Sequence, residues 1–161
     1  MKKSQPPGEC LHIVYSSRLA PATDYTAYAE ICRAARRRHL IGNVSSVLLF
    51  DGQRFCQWLQ GEPASVEVLM RRIAQDTRHT AVCTRLHARM PFCALAQCWR
   101  AGFVDSDARD GFQKFEGTAP DPVLSAFGRL LAAADLEPAI SPALPFAANP
   151  NSARYSSCTA T

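Results

Sequence analysis

Between positions 10 and 16 the chain alternates: Leu11, Ile13 and Tyr15 fall on one side of an extended strand, and Cys10, His12, Val14 and Ser16 on the other. The period then changes. Pro21 and Thr23 mark a helix start, with Asp24 suited to the positive end of its dipole. Tyr28, Ile31, Cys32 and Ala35 recur at helical spacing and make one apolar stripe. The helix ends in Arg36-Arg37-Arg38, cations that suit a helix C-terminus, with Gly42 shortly beyond.

VSSVLLFD (44 to 51) returns to strand character, and Asp51-Gly52 is a strong short hairpin signal. Its partner strand is RFCQWLQ, in which Phe55, Gln57 and Leu59 share one face and Cys56, Trp58 and Gln60 the other. Gly61-Glu62-Pro63 breaks it, and Ser65 to Asp76 reads as a helix with Val66, Leu69, Met70 and Ile73 as its stripe. Residues 80 to 88 alternate weakly as a fourth strand, and Trp99 to Val104 form a fifth. Asp105, Asp107 and Asp110 indicate a loop. Pro120 to Ala134 is a further helix, with Val123, Leu124, Phe127, Leu130 and Leu131 on one stripe.

The order β-α-β-β-α-β, plus an extra strand, predicts an α+β fold, a ferredoxin-like sandwich with two helices on one face of a mixed sheet and an appended C-terminal helix. The expected divisions are a flexible N-terminus (1–8), one domain (9–117), the appended helix (118–135) and an irregular tail (136–161) rich in Pro, Ala, Asn, Ser and Thr.

Composition narrows the function classes only a little. A chain of 161 residues with a hydrophobic share of 47% suits one packed domain with some tail. A net charge of +4 permits an acidic partner without requiring one. MKKSQPPGEC has no apolar core of a signal peptide, and no apolar run approaches the roughly 20 residues of a spanning helix, so a cytoplasmic protein is expected. The seven cysteines are scattered without a CxxC pair, which predicts buried free thiols over a metal site or a disulfide framework.

Three groups hold chemistry, and each has a plain structural account beside the functional one. Tyr15 and Gln57 place a phenol and a carboxamide on faces that should be apolar; they pack and bond to each other or to backbone, or they serve a ligand. Arg72, Asp76 and His79 lie three to four residues apart, which suits a phosphate or ribose-bearing ligand, or a solvated helix end. Arg36-Arg37-Arg38-His39 suits nucleic acid, or a solvated helix; with no helix-turn-helix or RNA-binding signature the solvated helix is preferred. There is no Gly-rich phosphate loop, no HExxH and no Ser/His/Asp pattern, so nothing argues for an enzyme.

Over about residues 9 to 117 the chain resembles the BLUF family, blue-light sensors that use FAD. The matching pieces are Ile13-Val14-Tyr15-Ser16-Ser17, the run from Val47 to Glu62, and Arg72-Ile73-Ala74-Gln75-Asp76-Thr77-Arg78-His79. They follow the family's patterns of a strand ending in YSS, GLLLYxxGxFLQVLEG and RIxxDxRH. The resemblance implies the ferredoxin-like fold with FAD between the two helices. It implies that Gln57 bridges Tyr15 and the flavin, and that light-driven electron and proton transfer from the tyrosine makes the glutamine rotate or tautomerise. It further implies Ile31 packed on the ring, Ser45 as a hydroxyl at the cofactor, Arg72, Asp76, Arg78 and His79 toward the ribityl and phosphate end, and Ile73 among the cofactor-binding residues.

The chain departs from the family at several positions. His39 stands for the family's ring-binding asparagine and Arg38 for its neighbour. Asn43-Val44-Ser45-Ser46 replaces Gly-Ile-Thr-Gly, and Gln60 replaces a glutamate. Aligned through Phe92, Leu95 and Gln97 stand for a tryptophan and a methionine, with Trp99 as the displaced tryptophan if the strand shifts. The expectation is a photoreceptor that acts in trans on an unknown downstream signalling protein, with homo-oligomerisation possible and neither nucleic acid nor membrane as partner. The competing readings are a flavin-free interaction module of the same fold and, more remotely, a small flavoprotein oxidoreductase.

Overall fold

The computed structural model describes residues 9–24, 26–91, 95, 99–105 and 120–137, without the side chains of 39–42. The elements run β1 (Cys10–Leu19), α1 (Thr26–Gly42), β2 (Val44–Phe50), β3 (Arg54–Gly61), α2 (Pro63–Ala74), β4 (His79–Met90), β5 (Trp99–Val104), α3 (Pro120–Ala132) and β6 (Ala134–Leu136). The strands form one six-stranded sheet in the order β4-β1-β3-β2-β5-β6. β2 and β5 are parallel; the other neighbours are antiparallel. This is the expected ferredoxin-like α+β sandwich on a mixed sheet.

Side-chain alternation on the central strands divides the interior in two. On one face Leu11, Ile13, Tyr15, Val44 and Leu59 pack against Val66 and Ile73 of α2. Beside them Leu48, Phe50, Phe55, Trp99 and Ala101 pack against Tyr28, Ile31 and Cys32 of α1. On the opposite face Val14, Val47, Leu49, Cys56 and Trp58 pack against Val123, Ala126, Phe127 and Leu130 of α3. The stripes read from the sequence therefore face inward, with Ala35, Leu69, Met70, Leu124 and Leu131 only partly buried at their margins, and the appended helix covers the second face of the sheet.

Local chemistry fixes the ends. Asp51 Oδ1 accepts from the backbone N–H groups of Gln53 (2.9 Å) and Arg54 (2.6 Å), and Gly52 takes φ +96°, closing the β2–β3 hairpin. Asn43 supplies a left-handed residue (φ 49°) between α1 and β2, a conformation asparagine tolerates better than most side chains. Its carbonyl lies so close to Gly61 that a Cβ there would sit 2.6 Å away.

Several boundaries differ from expectation. β1 extends to Leu19 because β4 and β3 pair with it beyond Ser16. α1 starts at Thr26, and Asp24 stands before it, its carboxylate accepting from the Thr26 N–H at 2.9 Å. α2 starts at Pro63, because Glu62 caps the N–H groups of Ala64 and Ser65 at 3.1 and 2.8 Å and proline suits the first helical position. It ends at Ala74, which leaves Asp76 in the following turn. Residues 134–136 are neither helix nor irregular: they add β6 to the edge of β5, and the Glu137 N–H donates to the Ala101 carbonyl at 2.8 Å. The expected all-free cysteines need one correction. Cys32 and Cys56 are buried free thiols, Cys83 is free but exposed, and Cys10 is disulfide-bonded. The expected flexible N-terminus and most of the expected tail also lie outside the described residues.

Phe127 is fully buried and meets Trp58 edge-on at 5.6 Å. Phe127→Ala is expected to destabilise the protein by about 3–5 kcal/mol, read as a lower urea midpoint.

Candidate functional site

Tyr15 and Gln57 are paired directly across the antiparallel β1–β3 ladder. Their side chains therefore leave the same face of the sheet, toward the helices, and the Tyr15 hydroxyl donates to Gln57 Oε1 at 2.6 Å. Both are buried, at 1% and 5% exposure. The glutamine's Nε2 has no hydrogen-bond partner among the described residues, although Gln57 lines a cleft. That leaves the amide's N–H pair facing the cleft, able to donate to a group placed there.

The cleft lies between α1 and α2. Its inner part is narrow, about 30 Å³, and is lined by Tyr15, Gln57, Ile31, Ile73, Asp76 and His79 among others. Arg38, Val44 and Leu69 are shared with an outer hollow of about 350 Å³, where Arg72, Ala64, Ser65 and Val68 complete the wall. α1 rests on β2 and β5, whereas α2 rests on β1, β3 and β4. The two helices therefore stand on different strands on either side of the cleft.

The expected site residues fall as follows. Tyr15, Gln57, Ile31, Ile73, Asp76, Arg78 and His79 meet around the inner cleft. Arg72 does not join them; it stands at the outer hollow, because α2 ends and the chain turns between it and Asp76. His39 lies in the last turns of α1, and its side chain is outside the described residues. Ser45 is not in the cleft. β2 alternates, so Ser45 shares the α3 face with Val47 and Leu49, and Ser46 lines the cleft with Tyr15 and Gln57. The hydroxyl to consider was Ser46, and the two-residue period already marked it, since it shares a face with Leu48 and Phe50.

Strand five begins at Trp99, so Leu95 precedes it, and Gln97 is outside the described residues. Trp99 is fully buried beside Ile31 on the helix face, in register with Ser46. Strand five starts at Trp99 as expected, and Trp99 is the tryptophan packed in the core beside Ile31. Arg36 stacks 4.9 Å above its ring and pairs with Glu137, so the arginine run partly closes the α1–β6 seam.

Electrostatics distinguish the inner groups. Burial, with the nearby Cys56 and Asp76 adding to it, raises the Tyr15 pKa well above its ordinary value, which keeps the phenol protonated. Asp76 is held low by the Arg78 side chain, whose Nε and Nη2 donate to it at 2.9 and 2.5 Å. His79, joined through Nδ1 to the Ser17 hydroxyl at 2.9 Å, is pushed below its ordinary value, chiefly by burial. Its ring lies 6.4 Å from that of Tyr15, edge-on. Ser17 was missed by sequence reading, though it follows Tyr15 on the same strand face.

A family model described as sensors of blue-light using FAD matches residues 10–92. The "Blue light- and temperature-regulated antirepressor BluF" of Escherichia coli is 33% identical over 67 residues, 42% of this chain but only 17% of that protein. The dark-state structure of BlrB, a BLUF protein, aligns with TM-score 0.58 at 24% identity, covering 78% of this chain and 97% of that one. Klebsiella pneumoniae BlrP1 with FMN and cyclic diGMP aligns with TM-score 0.51 at 24% identity, covering 77% and 34%. At these identities the two structures support the fold alone.

His79 gives this site a pH signature. A folded pKa below the ordinary 6.5 means that the neutral ring is favoured by folding. Its stability contribution is complete above about 6.5 and is lost as pH falls through the folded value. The urea midpoint should therefore drop on acidification below that point, and drop less in His79→Gln; equal slopes in the two proteins would contradict the assignment.

Proposed function

The chain belongs to the BLUF family of sensors of blue light using FAD, and on that premise we propose that it is a flavin-binding photoreceptor switched at Tyr15 and Gln57. The observation that carries the reading is the buried Tyr15–Gln57 hydrogen bond at the inner end of a cleft, with the amide's donors left toward the open space. The donor set suits a flavin. Ile31, Ile73 and Val44 offer apolar walls, Gln57 offers an amide to a heteroatom edge, and Asp76, Arg78 and His79 offer polar groups beside it. His39 is the remaining candidate, from the end of α1, and Ser46 takes the place first given to Ser45.

At the mouth, Arg38 and Arg72 make no ion pair among the described residues. Guanidinium groups there favour a flavin that bears phosphate. FAD is the cofactor proposed. FMN, present in the BlrP1 structure, shares the chemistry of the ring and first phosphate.

When bound, the flavin supplies the chromophore that absorbs blue light. The protein's part is to hold a proton and turn an amide. Tyr15 keeps its proton on Oη, and Gln57 Oε1 accepts it in a hydrogen bond. A half-turn of the carboxamide presents Nε2 to the same oxygen and reverses the donor and acceptor roles, because one rotatable group holds both. The reversal shifts hydrogen bonding along β3 and biases its neighbours. The output is proposed to reach a separate signalling protein through α3 or the sheet, with self-association as a further route. Nothing in the proposed mechanism requires catalysis by this domain.

The purified protein should be yellow, with blue absorption bands that move to longer wavelength under blue light and return in the dark. Gln57→Leu should keep the flavin and lose the shift, and Tyr15→Phe should lose it as well. Chromatography of the released cofactor separates FAD from FMN. A colourless protein that takes up neither would favour the flavin-free interaction module, and NADPH turnover in the dark would favour an oxidoreductase.

A further inference from the structure

Gln60 is buried to 2% exposure on the α3 face, where it lies in register between His12 of β1 and Ser45 of β2. Its side chain makes two hydrogen bonds to one distant backbone unit. Nε2 donates to the Leu95 carbonyl at 2.9 Å, and Oε1 accepts from the Leu95 N–H at 2.7 Å. The carboxamide thus does for Leu95 what a neighbouring strand would do. Leu95 lies ahead of the β2–β5 ladder, whose first pair is Ser46 with Trp99. The Leu95 side chain also packs against the α3-face core.

We propose that Gln60 is a positioning residue for the cleft: by clamping Leu95 it fixes where β5 begins and so holds Trp99 against Ile31. The path is short in sequence and then in packing. Leu95 is four residues from Trp99, Trp99 shares an apolar cluster with Ile31, and Ile31 lines the inner cleft. Only a neutral group with one donor and one acceptor side by side satisfies both Leu95 atoms. A carboxylate repels the Leu95 carbonyl; a protonated carboxyl, with its O–H and C=O, restores both bonds. The effect on Trp99 stands without a cofactor. Its consequence for the light response rests on the function proposed above.

The test compares wild type, Gln60→Glu and Gln60→Leu across pH. In the dark, amide exchange at Leu95 and the Trp99 indole resonance are followed by NMR. Wild type should show a protected Leu95 amide at all pH values. Gln60→Leu should lose protection at least tenfold and move the Trp99 resonance at every pH. Gln60→Glu should resemble Gln60→Leu at neutral pH and return toward wild type on acidification, a rescue that a generic packing defect would not give. The recovery rate of the flavin bands after illumination should follow the same pattern. An unprotected Leu95 amide in wild type overturns the clamp, and this measurement needs no variant to fold. A Trp99 resonance unmoved in Gln60→Leu, or no acid rescue in Gln60→Glu, overturns the positioning role. A normal Leu95–Trp99 pattern in a protein with no flavin bands would instead overturn the photoreceptor reading and leave the clamp standing.

Discussion

The antiparallel register of β1 on β3 is the constraint on which the site depends. It puts Tyr15 opposite Gln57, so that two polar side chains on an apolar face satisfy each other at 2.6 Å. A slip of one residue would send every side chain of one strand to the other face. The phenol would then lose the amide, and Val14 (for a slip of β1) or Trp58 (for a slip of β3) would leave the α3 core. The same register therefore serves the hydrophobic division of the sheet and the polar pair, and packing energy holds the pair in place.

The two faces then take separate tasks. The α3 face is a continuous core with a buried polar row, His12, Gln60 and Ser45, at one end. The other face has two helices that lean on different strands and leave a seam between them. That seam is the place for the planar ligand proposed above. The polar groups gathered there sit at element ends: Arg38 late in α1, Arg72 late in α2, and Asp76 to His79 in the turn into β4.

Much of this could be read from residue order. Strong periodicity placed the helices, the hairpin and the faces of β1 and β3, because burial enforces a single period on each element. What was misread depended on capping or pairing. Glu62 and Asp24 decide the helix starts through hydrogen bonds that periodicity does not register. β6 is three residues long and exists only because the edge of β5 is open to it. Ser45 was preferred to Ser46 through resemblance of residue type, although alternation on β2 pointed the other way.

The energy scale of the proposed switch is compatible with so small a group. Reversing one amide exchanges one buried hydrogen bond for another, each worth about 0.5–1.5 kcal/mol net, with about 1–3 kcal/mol at stake if a donor is left unmet. Differences of that size move a two-state equilibrium roughly two- to 150-fold, and none of them requires the core to repack. The residue best placed to feel such a change must share a rigid strand with Gln57 yet act on the other face. Gln60 meets both conditions, three residues along β3, with its own amide bound to a segment outside the ladder. A sheet that is stiff along its strands and held at its margin by side-chain amides can carry a local reversal outward without melting any element.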